Sequence, residues 1–228
     1  MSAPSPLHLP ALGPIRKRLL QRRIRWIVAI TICYNLIEAV IALAAGSIAS
    51  SAALIGFGLD SIVEVLSAAA IAWQFAAPEP EQREKLALRV IAFSFFALAA
   101  YVSIDAALSI MGLRTPEYSP VGIVLTAISL VVMPVLSYFE RRIGRELGSA
   151  SAVADSKQTL LCAYLSAAVL IGLALNAILG WAWADAVAAL VIAGFAVREG
   201  SAAWKGDTCT TPVSALTGER TLEHEAGT

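Results

Sequence analysis

Residues 56–70 read GFGLDSIVEVLSAAA and place two carboxylates in a stretch that is otherwise apolar enough to lie in lipid. Asp60 and Glu64 are four residues apart, and side chains at this spacing lie on one face of a helix. An ionisable side chain at the centre of a bilayer costs about 3 kcal/mol on insertion scales, and such residues mark functional sites. The pair therefore predicts a polar site on a membrane-spanning helix.

The composition of the whole chain is typical of an integral membrane protein. Of its 228 residues, 58% are hydrophobic and 15% are charged, and the mean hydropathy is +0.73. The sequence contains no nucleic-acid-binding motif, no glycine-rich phosphate loop and no Ser/His/Asp arrangement suited to a soluble active site. The three cysteines lack the spacing of a disulfide framework. We therefore expect neither an enzyme nor a nucleic-acid partner.

Six apolar stretches are long enough to cross a hydrocarbon core of about 30 Å. They cover residues 26–45, 52–75, 86–111, 119–139, 157–179 and 182–201. If the N-terminus lies inside, 16 of the 17 Lys and Arg residues fall on inner segments and only Arg114 lies outside. The prediction is an all-α polytopic protein of the cell (inner or plasma) membrane, with six transmembrane helices and cytoplasmic N- and C-termini.

The chain divides into three parts. Residues 1–23 are predicted to form a disordered basic leader, residues 24–206 the six-helix transmembrane domain, and residues 207–228 a disordered tail. The tail has no periodic apolar pattern, so we expect no second folded domain.

A second polar pair, Gln158 and Cys162, has the same four-residue spacing on the fifth span. Ser51 precedes Asp60 by nine residues, Ser149 precedes Gln158 by nine residues, and each serine is suited to begin its helix. Nine helical residues rise about 13.5 Å, which is close to half of a core of about 30 Å. Because the second and fifth spans start on opposite sides of the membrane, both pairs are predicted to meet near the midplane.

Two carboxylates, an amide oxygen and a thiol at one depth would form a four-ligand site for a divalent metal. Carboxylate oxygens and a thiolate are ordinary ligands of tetrahedral Zn²⁺, whereas an amide oxygen is more common around harder ions. The sulfur argues against Mg²⁺ and Ca²⁺. Zn²⁺ is the first expectation, and Co²⁺, Ni²⁺, Fe²⁺ and Cd²⁺ remain open.

The same residues can also have purely structural roles, and these interpretations stay open beside the metal site. Asp60 and Glu64 would then form a hydrogen-bonded pair inside the bundle, and Cys162 would be a small buried apolar side chain. Gln158 would donate a hydrogen bond between helices. Asp185, which follows the tryptophan-rich turn at residues 181–183, most resembles a helix cap.

At these residues the chain resembles the cation diffusion facilitator family of divalent-metal exporters, from about residue 24 to residue 206. The segments that carry the resemblance are YNLIEAVIALAAGSIASSAALIGFGLDSIVEVL, RRIGRELGSASAVADSKQTLLCAYLSAAVLIGL and WAWADAVAALVIAG. Family members carry a His or Asp followed four residues later by Asp on the second span, and a similar pair on the fifth. By this resemblance Asp60, Glu64, Gln158 and Cys162 are the metal ligands, with Gln158 and Cys162 departing from the family pattern.

The resemblance implies proton-coupled export of the metal across the lipid bilayer. The ion is the transported substrate, and no bound cofactor is implied. Asp60 and Glu64 would exchange protons, while Asp155 and Glu38 would act as relay residues or as residues through which the cation enters. The family usually adds a cytoplasmic ferredoxin-like domain that supports dimerisation. Since the tail shows no such pattern, the expectation is a divergent subfamily that forms homodimers through membrane helices.

Two other functions remain open from the sequence. A metal-binding membrane sensor or partner subunit would bind the ion without transporting it. A proton-coupled carrier of organic cations would use the two acids as countercharge, and Cys162→Ser would then be harmless.

Overall fold

The computed structural model describes residues 14–75, 80–147 and 150–205, and this part of the chain consists of six α-helices and their connections. They are α1 (Pro14–Ala49), α2 (Ala52–Phe75), α3 (Pro80–Ile110), α4 (Pro120–Leu147), α5 (Ala150–Leu179) and α6 (Ala182–Lys205). Each helix contains a stretch that is long and apolar enough to cross a membrane. The prediction of an all-α, six-span membrane protein is confirmed.

The first helix begins earlier than the predicted end of the leader. α1 starts at Pro14, so residues 14–23, which we assigned to a disordered segment, are helical. Proline is favoured at the first position of a helix, and the Arg, Lys, Leu and Gln residues that follow are good helix formers. Arg16 also forms an ion pair with Glu146 of α4. Residues 1–13 and 206–228 lie outside the described part, where the predicted disorder stays a prediction.

The inner ends of α4 and α5 are also longer than predicted. The predicted spans end at residue 139 and resume at residue 157, with ERRIGRELGS following the first of them, yet α4 continues to Leu147 and α5 starts at Ala150. Most of these residues favour helix once the preceding turns are formed, so both helices extend beyond their apolar stretches. As a consequence, Glu140 lies inside a helix and not in a loop.

The helices pack around α2, which contacts α1, α3, α5 and α6. Among the other helices, α4 packs against α5 and α1, and α3 packs against α6. The main apolar core is formed by fully buried side chains of α2, α3, α5 and α6, among them Leu54, Phe57, Val102, Val169 and Ile192. α2 therefore carries its acids through the interior of the bundle.

Gly58 brings α1 and α2 together beside the acidic pair. A Cβ at this position would lie 3.0 Å from the Cβ of Ala42 and 3.1 Å from the backbone nitrogen of Leu43. Small residues at such contacts let the backbones of membrane helices approach closely. Because Gly58 is two residues before Asp60, this approach holds α1 against the acidic segment of α2.

Asp185 caps the neighbouring helix α2 across the helix interface. Its carboxylate accepts a hydrogen bond from the Ser51 hydroxyl at 2.5 Å and one from the Ala53 amide at 3.3 Å. Ser51 Oγ in turn accepts from the Leu54 amide at 3.1 Å, as expected of an N-cap. The sequence predicted a cap at Asp185 but could not show that the capped helix is α2.

We expect Asp185→Ala to destabilise the protein by about 1–3 kcal/mol, because it leaves the buried donors at the start of α2 without their acceptor. Thermal unfolding in detergent would measure the change, with Asp185→Asn retaining part of the stability. Glu117→Ala, at an exposed acid of the α3–α4 connection, is the control. An Asp185→Ala variant as stable as the control would contradict the assignment of the cap.

Candidate metal centre

Three of the four predicted ligands lie together between α2 and α5. Cys162 Sγ lies 2.9 Å from Glu64 Oε1 and 3.9 Å from Asp60 Oδ2. One ligand atom from each of the three side chains lies within 4.8 Å of the others. Cys162 is 0% exposed, Asp60 is 5% exposed and Glu64 is partly buried. Glu64 and Cys162 are 98 residues apart in sequence, and their contact joins the two halves of the predicted site.

The spacing of these atoms is close to that of a transition-metal site. Metal–oxygen bonds of about 2.1 Å and metal–sulfur bonds of about 2.3 Å put tetrahedral ligand atoms about 3.5 Å apart. The distances from Cys162 Sγ to the two carboxylates bracket this value. The three atoms are therefore close enough together to be ligands of one ion.

Gln158 and Asp155 are the predicted residues whose side chains lie outside the described part of the structure. Their backbones belong to α5, with Gln158 about one turn before Cys162. The assignments of Gln158 as a ligand and of Asp155 as a relay or uptake residue stay predictions.

α1 contributes Asn35 to the same site. Its Nδ2 donates a hydrogen bond to Glu64 Oε2 at 2.7 Å, while the other Glu64 oxygen accepts from the Cys162 thiol. Glu64 is thus held from α1 on one side and from α5 on the other. Sequence reasoning missed Asn35 because its contact with Glu64 depends on how α1 packs against α2. The available signal was its position three residues before Glu38, on the same face of α1.

Glu38 lies in a second polar layer and is 1% exposed. Its carboxylate accepts from the Ser61 hydroxyl at 2.9 Å and from the Ser129 hydroxyl of α4. Tyr34 Oη and Ser129 Oγ share a further hydrogen bond of 2.7 Å. With the N-terminus inside, α1 runs outward, so Glu38 lies about 4.5 Å beyond Asn35 toward the outer face. The residue assigned as a possible relay is therefore adjacent to the site.

Glu140 forms a third layer that sequence reasoning missed. This α4 residue is fully buried and accepts from Thr31 Oγ1 of α1 at 2.9 Å and from Thr159 Oγ1 of α5 at 3.0 Å. Thr31 is four residues before Asn35, and Thr159 is three residues before Cys162. Since α1 and α5 both run outward, Glu140 lies roughly one helical turn on the cytoplasmic side of the cluster.

The three layers form one column of buried acids between α1, α2, α4 and α5. Glu140 lies innermost, the Asp60, Glu64 and Cys162 cluster is in the middle, and Glu38 lies outermost. A ligand oxygen of Asp60 lies within 4.8 Å of one of Glu64, and negative charges at such a distance repel each other strongly where water is excluded. Binding of a cation or of protons relieves that repulsion. The column is therefore chemically suited to exchange a metal cation for protons.

Comparison with known proteins agrees with this chemistry. A family model described as the cation efflux transmembrane domain matches residues 28–204, which is more than half of the chain. The matched region contains the three clustered ligands and all three acidic layers. A search among curated proteins finds no match.

Proposed function

Since the chain belongs to the cation diffusion facilitator family and is a cation transporter of the membrane, we propose that it exports a divalent transition metal in exchange for protons. Zn²⁺ is the proposed substrate, and the binding site is the Asp60, Glu64 and Cys162 cluster near the membrane midplane. Gln158 is proposed to complete this set from α5. The expected homodimer and the location in the plasma membrane belong to the same proposal.

The ligand set supports a transition metal over Mg²⁺ or Ca²⁺. A thiolate binds Zn²⁺ and Cd²⁺ strongly and is a poor ligand for the harder ions, which take oxygen ligands and keep several waters. Two carboxylates and one buried thiol therefore favour Zn²⁺-like ions. A carrier of organic cations would need the two acids but would have no use for the sulfur.

The hydrogen bond between Cys162 and Glu64 is the observation that carries proton coupling. At 2.9 Å the Cys162 thiol is placed to donate to the Glu64 carboxylate, and we infer that the two side chains share a proton when no metal is bound. A metal binds the thiolate and the carboxylate, so it must displace that proton. Protons arriving from the other side of the membrane would in turn compete with the metal for the same atoms and release it.

Flux measurements in proteoliposomes test the proposal. We expect an imposed pH gradient to drive Zn²⁺ accumulation. Protons should move down their gradient while Zn²⁺ moves in the opposite direction. For each exchanged proton, one pH unit supplies about 1.4 kcal/mol, which supports about a tenfold difference in metal concentration. A panel of Zn²⁺, Co²⁺, Ni²⁺, Fe²⁺, Cd²⁺ and Mg²⁺ would define the substrate.

Protein-free liposomes provide the control for leakage, and an ionophore that collapses the pH gradient should stop accumulation. Stoichiometric binding of Zn²⁺ without gradient-driven flux would contradict the proposal and favour a sensor or partner subunit.

A further inference from the structure

The two polar atoms of the Asn35 amide lie in different environments. The residue is 4% exposed, and its Nδ2 donates to Glu64 Oε2 at 2.7 Å. Its Oδ1 is buried and has no hydrogen-bond partner among the described residues. The amide nitrogen of Asn35 therefore has a partner in the Asp60, Glu64 and Cys162 cluster, whereas the amide oxygen has none among the described residues.

A buried amide oxygen without a partner costs about 1–3 kcal/mol. Most buried polar atoms in folded proteins are paired, so an exception next to a ligand cluster calls for a functional explanation. An amide oxygen is a neutral, hard donor and is a common ligand of divalent cations. The unpaired Oδ1 is therefore an acceptor available to a cation.

Oδ1 is also within reach of the cluster. The oxygen and nitrogen of an amide share one carbon, so Oδ1 lies at most about 5 Å from the Glu64 oxygen that Nδ2 contacts. The clustered ligand atoms are themselves up to 4.8 Å apart. Asp60, Glu64 and Cys162 supply three protein ligands, and together with Gln158 a ligand from Asn35 would make the site five-coordinate, a number that Zn²⁺ can adopt.

We propose that Asn35 is a ligand of the transported cation, with Oδ1 binding the metal beside Asp60, Glu64 and Cys162. This inference rests on the proposed function and adds a residue from α1 to a site otherwise built from α2 and α5. Coordination by a neutral oxygen leaves the number of displaced protons unchanged. It also adds a metal-dependent link between α1 and the site to the hydrogen bond that Asn35 already makes with Glu64.

Titration of the purified full-length protein with Co²⁺ tests this assignment. The d–d absorption of bound Co²⁺ reports the number and geometry of its ligands, and a thiolate-to-cobalt band reports Cys162. We expect Asn35→Ala to weaken Co²⁺ binding at least about tenfold. The d–d spectrum should change while the thiolate band remains. Asn35→Asp, which keeps an oxygen at this position, should bind Co²⁺ at least as tightly as the wild type.

Asn176→Ala is the matched control. This asparagine of α5 donates to the Pro116 carbonyl at 3.0 Å near the outer end of the bundle, so Co²⁺ affinity and spectrum should not change. Size-exclusion chromatography would show whether each variant is folded. If Asn35→Ala does not fold, Asn35→Asp carries the test: Co²⁺ affinity at or above the wild-type value is expected at a ligand position, whereas weaker binding, as repulsion of Glu64 alone would cause, would overturn the assignment.

The possible results separate this inference from the proposed function. A wild-type protein that binds no Co²⁺ would overturn the proposed metal site as a whole. Wild-type binding together with unchanged affinity in Asn35→Ala would overturn the Asn35 assignment alone. Weaker binding with an unchanged d–d spectrum would make Asn35 a positioning residue for Glu64, and this too would contradict its role as a ligand.

Discussion

Glu64→Gln is expected to lower metal flux by more than about 100-fold, because it removes a ligand carboxylate while keeping the shape of the side chain. Loss of residues that only support metal ligands already costs about 10–100-fold in affinity or activity. The variant's amide still accepts the Asn35 hydrogen bond through its oxygen, so packing between α1 and α2 is preserved. It cannot receive the proton that the carboxylate shares with Cys162.

The measurement is gradient-driven Zn²⁺ uptake into proteoliposomes with equal amounts of reconstituted protein. Glu117→Gln, at an exposed acid far from the cluster in sequence, is the control and should transport normally. Glu64→Asp keeps the charge on a shorter side chain and should retain part of the flux. Transport at the wild-type rate in Glu64→Gln would show that the carboxylate is not required and would refute the proposed site.

The sequence predicted those parts of the site that depend on local geometry. The spacing of Asp60 and Glu64 fixes their common face on any helix, so a helix at this position was enough to place both acids together. Cys162 was predicted from the matching offsets of two helices that start on opposite sides of the membrane. The structure confirms its contact with Glu64.

Other parts of the site depend on which helices pack together, and these were missed. The importance of Asn35 comes from the close approach of α1 to α2 near Gly58. Glu140 lies past the apolar part of α4 in a charged run, so a search limited to apolar spans excluded it. Outside the site, the sequence predicted a cap at Asp185, but no local pattern identifies α2 as the helix that it caps.

Replacing Cys162 is expected to change which metals are bound, because its sulfur is the soft ligand in the described cluster. Cys162→Asp would leave three carboxylates, and carboxylates suit harder ions such as Mn²⁺. The ratio of Cd²⁺ to Mn²⁺ affinity should fall by more than about 100-fold, since a direct ligand is replaced. Cys162→Ser should weaken Cd²⁺ and Zn²⁺ binding without a matching gain for Mn²⁺.

Competition of each metal against Co²⁺ on purified protein would give the affinity ratios. Cys33→Ser is the matched control, because Cys33 is a free, exposed cysteine on α1 and is not in the cluster. The thiolate-to-cobalt band should persist in Cys33→Ser and vanish in Cys162→Ser. Unchanged metal preference in Cys162→Asp would mean that the sulfur does not bind the ion.

The same pair of variants separates a metal exporter from a carrier of organic cations. Such a carrier would use Asp60 and Glu64 only as countercharge, so Cys162→Ser would transport normally and Cd²⁺ would not compete with its substrate. A metal exporter should instead lose Cd²⁺ and Zn²⁺ flux in parallel with affinity. Because the Cys162 thiol shares its proton with Glu64, the variant should also release fewer protons for each metal that binds. Proton release measured during metal titration therefore tests selectivity and coupling at one residue.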